Sequence, residues 1–131
     1  MRGTTIGVTM LGLACGFLLA ATAGPAAAKD GDVEVAGTCS GRSTSELDLS
    51  EEDGRIEVEF EVDQNRNGVR WSVVLTRDGR RVARLARTTR PPSGSFEARR
   101  VIANRPGPDV IRARATTRSG EVCRARATWR G

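Results

Sequence analysis

Three cysteines constrain this chain more than any other feature, because their positions leave one pair in the part that folds. Cys15 lies inside an uncharged apolar run near the N-terminus. Cys39 and Cys123 stand near the two ends of the remainder, 84 residues apart. An even pair in an exported domain points to a disulfide. The Cys39–Cys123 bridge is therefore expected to tie the first strand of a small domain to its last. Closing a loop of that length would contribute up to ~4–5 kcal/mol through the unfolded chain. For a small domain, that is a large share of a total stability of about 5–15 kcal/mol.

The N-terminal run has the three parts of a secretion signal. Arg2 supplies the positive charge, and Ile6 to Ala23 carries no charge. Gly24-Pro25 and Ala26-Ala27-Ala28 then form an A-x-A cleavage box ahead of Lys29. The expected division is a helical signal peptide over 1–28 and one secreted, extracellular domain over 29–131, with no membrane span after cleavage. The run is long enough to serve as an uncleaved anchor, but the alanine-rich end favours cleavage.

Residues 29–131 suffice for one domain with a modest core. No Tyr is present, and the aromatics of this part are Phe60, Trp71, Phe96 and Trp129. Short alternating segments separated by turns predict an all-β sandwich of seven to eight antiparallel strands, immunoglobulin- or fibronectin-like. Val33, Val35 and Cys39 mark the first strand, and Leu47 and Leu49 the second. Ile56, Val58, Phe60 and Val62 alternate with Glu57, Glu59 and Glu61 in the third. Trp71, Val73 and Leu75 face inward on the fourth, and Asp78-Gly79 is a hairpin signal. Segments 82–88, 96–102, 111–115 and 123–129 complete the set, and a small barrel is the rival architecture.

The run Cys39-Ser40-Gly41, the segment Arg55 to Asp63, Gln64-Asn65-Arg66-Asn67-Gly68, Trp71 and Pro92-Ser93-Gly94-Ser95-Phe96 together resemble small secreted actinobacterial proteins of unknown function. The resemblance covers nearly all of the exported part. It implies an immunoglobulin-like fold and brings no activity and no site residues.

Catalytic chemistry finds little support. Without His there is no Ser–His or Cys–His pair and no imidazole metal ligand. Glu57, Glu59 and Glu61 read as a solvated outer row rather than an acid/base pair. The loop Asp63-Gln64-Asn65-Arg66-Asn67-Gly68 copies the first half of a calcium loop. Its twelfth position is Val74 instead of Glu, so a plain turn is the better reading. No catalytic residue, cofactor or metal is predicted.

Charge is the remaining lead. All but one of the 21 basic residues are Arg, a bias that genome composition explains more simply than function does. Its distribution is uneven, however. Residues 29–63 carry three basic and twelve acidic residues, a net of −9. Residues 64–131 carry 17 Arg and four acids, a net of +13. If Thr117 pairs with Glu121, Arg114 opposes Arg124 and Arg112 opposes Arg126, four guanidiniums on one outer face. If Leu49 opposes Ile56, Asp48 opposes Glu57 and Glu46 opposes Glu59. Hairpins lying side by side would neutralise each other, whereas hairpins in opposite sheets would make the domain a dipole. Sandwich winding favours the dipole.

The function expected is therefore a non-catalytic cell-surface interaction module. Its anion-binding residues would be Arg112, Arg114, Arg124 and Arg126, and its partner an anionic cell-envelope polymer or an acidic protein. The alternative is a small-molecule carrier with a cleft between the sheets. Nucleic acid is a poor partner, since export removes it and no aromatic-rich basic motif is present. Mass spectrometry of the exported protein should show a chain that begins at Lys29 and is two hydrogens lighter than its reduced form. Free thiols at Cys39 and Cys123 would refute the bridge.

Overall fold

A computed structural model describes residues 31–131; the signal peptide expected over 1–28 and the predicted cleavage site lie outside the described residues. Among the described residues there are nine strands: β1 (Val33–Ala36), β2 (Thr38–Cys39), β3 (Thr44–Glu52), β4 (Arg55–Asp63), β5 (Arg70–Arg77), β6 (Arg80–Thr88), β7 (Ser95–Ala103), β8 (Asp109–Thr117) and β9 (Val122–Trp129). They form two antiparallel sheets, ordered β1-β3-β4-β7 and β2-β9-β8-β5-β6. From β3 onward the chain visits the sheets in the sequence two strands, two strands, one strand, two strands. This is the winding of an immunoglobulin- or fibronectin-like sandwich. Among the described residues no helix is long and apolar enough to cross a membrane.

The strands form where the sequence alternates, because each buries one face against the opposite sheet. Leu47, Leu49, Ile56, Val58, Phe60 and Val62 line the inner face of the first sheet. Trp71, Val73, Leu75, Ile111, Ala113, Ala115 and Cys123 line that of the second. Trp71 is fully buried, packs at 5.8 Å against Phe96, and donates its indole N–H to Gln64 Oε1 at 3.2 Å.

The expected first strand is in fact two, one in each sheet. Its break is at Gly37, whose N–H donates to the Ser45 carbonyl at 2.8 Å, the last tie to the first sheet. Thr38 and Cys39 then pair with Arg124 and Cys123 in the second. A Cβ on Gly37 would lie 2.2 Å from Ser45 Oγ and 2.6 Å from the Arg124 carbonyl oxygen. Only glycine lets the backbone cross so close to both sheets. The Cys39–Cys123 disulfide is formed, between neighbouring strands of one sheet with Cα atoms 4.0 Å apart. It fastens the crossing segment to the C-terminal strand.

Two Asp-Gly pairs set the hairpin registers. Asp53 (φ 50°) with Gly54 (φ 74°), and Asp78 (φ 49°) with Gly79 (φ 80°), form two-residue loops of the type that matches strand twist. The first places Glu52 opposite Arg55, so the β3–β4 register is two residues from the one expected. Leu49 faces Val58 rather than Ile56, Asp48 faces Glu59, and Glu46 faces Glu61. The slip is even, so every side chain keeps its predicted face.

Among the described residues one arginine, Arg77, is buried. Arg77 and Asp109 are both buried and form an ion pair at 3.7 Å at one end of the sandwich. The Arg77 guanidinium also donates to the Ala103 carbonyl of β7, so it bridges the two sheets. Removing one partner strands a buried charge, which typically costs about 3–5 kcal/mol. Arg77→Leu should lower stability by about that amount in denaturant titrations, and Arg77→Leu with Asp109→Leu should recover most of it.

Candidate functional site: two oppositely charged faces

Cross-strand pairing places the charges in rows. On the outer face of the second sheet one row runs Arg126, Arg112, Thr76, Arg81 across β9, β8, β5 and β6. The next runs Thr38, Arg124, Arg114, Val74, Arg84 across β2, β9, β8, β5 and β6. Arg112, Arg114, Arg124 and Arg126 thus come together as the sequence predicts, in the predicted register. All four are exposed. They wall a shallow groove of about 550 Å³ with Val74 and Thr76 beside them and the Val35–Thr38 crossover at its rim.

Arg81 and Arg84 join this face, and sequence reasoning missed both. Strict alternation along β6 would put them on opposite faces. A bulge after Leu75 shifts the β5–β6 register, so Arg81 rather than Val82 stands opposite Thr76. Arg70, paired with Thr88, extends the face further. No carboxylate lies in these rows among the described residues. Directly opposed like charges are unfavourable, and among the described residues none of Arg112, Arg114, Arg124 and Arg126 makes an ion pair.

The outer face of the first sheet is the counterpart. One row runs Glu34, Asp48, Glu59, Arg99 and the next Ala36, Glu46, Glu61, Glu97. Glu57 and Val101 follow in a third row. The carboxylates crowd one another. The charge of Glu34, with that of Asp48, raises the Glu46 carboxyl above its ordinary value. Partial burial and then Glu34 raise Asp48. Glu34, Glu46 and Asp48 bring one oxygen each within 4.8 Å of one another.

Arg99 is the main countercharge, and it makes this row less uniform than the solvated strip expected for Glu57, Glu59 and Glu61. Its Nε donates to Glu57 Oε1 at 2.6 Å, and its Nη2 donates to Glu57 Oε2 in a bidentate pair. Glu59 lies 3.4 Å and Glu52 3.7 Å from the same guanidinium. Glu57 is only 8% exposed, covered by this arginine on the outer face rather than sunk in the core. Pairing therefore outweighs desolvation. The Arg99 hydrogen bonds, and then that of Glu59, hold Glu57 at about 2. Glu59 is pushed up to about 7, first by sharing a proton with ionised Glu57, then by burial and the charge of Glu97.

The Asp63–Gly68 loop is built by turn chemistry. Asp63 Oδ1 accepts the Asn65 N–H at 2.9 Å, and Asn65 (φ 53°) and Gly68 (φ 76°) take left-handed backbone conformations. Gln64 is turned to the Trp71 indole.

The chain matches no protein-family model, and neither the curated proteins nor the solved structures compared with it show significant similarity. Fold and charge carry the functional reading.

The Glu57–Glu59 pair has a signature in pH. Glu59 titrates at about 7 when folded against an ordinary 4.5, so the folded state binds more protons between those values. Stability contributed by Glu59 should therefore rise as pH falls from about 7 to 4.5. Glu57 acts in the opposite sense, and its contribution is lost as pH falls from 4.5 towards about 2. Denaturation midpoints measured across this range should show the first slope in the wild type. Glu59→Gln should reduce it without abolishing it, since Glu46 and Asp48 are raised as well.

Proposed function

We propose that this is a secreted, non-catalytic interaction module whose arginine face contacts an anionic cell-envelope polymer or an acidic protein. The observation that carries this reading is the pair of neighbouring rows in which Arg112 opposes Arg126 and Arg114 opposes Arg124, with no carboxylate among them. Such a face is a concentrated positive potential that only an external anion can offset. Guanidiniums are suited to the task, since their planar forks match carboxylate and phosphate oxygens and never lose their charge. The disulfide and the expected signal peptide suit an oxidising, extracellular setting.

The carrier alternative has less behind it. Grooves of about 590 and 550 Å³ open at the surface, and neither is lined by Trp71 or Phe60, which are fully buried between the sheets.

The test is retention on purified anionic cell-wall polymer. The wild type should bind and elute with salt. Reversing Arg112, Arg114, Arg124 and Arg126 to Glu should weaken retention by roughly tenfold or more. Undiminished retention of that variant would refute the reading.

A further inference from the structure

The two outer faces carry opposite charge. Each presents two adjacent charged rows: Glu34 and Asp48, with Glu59 beside Arg99 at the far end, next to Glu46, Glu61 and Glu97 on one side, and the six arginines of the paired rows on the other. Both arrays are written on the same lattice, because both are antiparallel sheets. Strands lie about 4.8 Å apart, and alternate residues on one strand about 6.8 Å apart. The arrays cannot meet within one molecule, since the whole core separates them.

We propose that the acidic face of the β1-β3-β4-β7 sheet docks on the arginine face of a second copy of this chain. Carboxylates and guanidiniums then interleave across two outer sheet surfaces, as sheets pack face to face inside a sandwich. The crowding that raises Glu46 and Asp48 is relieved when guanidiniums approach. The contact is heterologous. A docked pair leaves one arginine face and one acidic face free, so further copies add in the same sense and a stack grows. The proposal goes beyond polymer binding and does not depend on it, although polymer would compete for the same arginines.

Sedimentation velocity over a range of protein concentrations tests the stack. At ~20 mM salt the wild type should self-associate, and its apparent dissociation constant should rise more than about tenfold by ~300 mM. Two variants then separate the faces. Glu34→Lys with Glu46→Lys and Glu61→Lys alters the acidic face. Arg112→Glu with Arg114→Glu, Arg124→Glu and Arg126→Glu alters the other. Each variant alone should remain monomeric, and an equimolar mixture should associate again, which also shows that both are folded. Wild type that stays monomeric at low salt, association indifferent to salt, or variants that do not recombine would overturn the proposal. The acidic-face variant keeps its arginines, so its retention on cell-wall polymer reports on the polymer reading separately.

Discussion

The apolar seam between the sheets is the constraint on which the rest depends. Every strand has to turn one side towards Trp71, Phe60 and the aliphatic side chains around them, so its other side is left for water. In a chain with this much charge and a period of two, that requirement sorts charges onto outer faces. Arg77 escapes the sorting because Asp109 and the Ala103 carbonyl receive it at the end of the seam. The disulfide acts locally, holding the two-residue strand β2 against β9 where ladder bonds alone are few.

Sorting by strand would mean little if acidic and basic strands alternated within a sheet. Here the winding separates them. The acidic hairpin β3–β4 stays in one sheet and the basic hairpins β5–β6 and β8–β9 make up most of the other. β7 carries Arg99 into the acidic sheet, where it lowers the Glu57 carboxyl, while Glu57, burial and Glu97 raise that of Glu59. The molecule is thus polarised across its thickness, with self-repulsion on both outer surfaces.

Particular residues show how far this could be read in advance. The facing of Arg112 with Arg126 followed from the short Arg118-Ser119-Gly120 turn, a local feature. The β3–β4 register needed the knowledge that Asp53 and Gly54 alone form the loop. The position of Arg81 was not legible, because the bulge that turns it outward arises from pairing between β5 and β6. The unusual titration of Glu59 was not legible either, because besides its neighbour Glu57 it needs burial and the charge of Glu97, which β4–β7 pairing brings onto the same face. Gly37 was visible as a glycine, but its role as the crossing point depends on Ser45 and Arg124 closing in from both sheets.

The amino-acid sequence by itself determined most of the strands and of their inner and outer faces, the cysteine pair and the split of charge along the chain. Those are consequences of local alternation and turn chemistry, which act over a few residues. Only the tertiary structure decided that the two charged regions end on opposite outer surfaces, and that Arg70, Arg81 and Arg84 join the four predicted arginines on one of them. Sheet partnership and register slips are non-local, set by which strands can seal the common core, and no short window of sequence contains them.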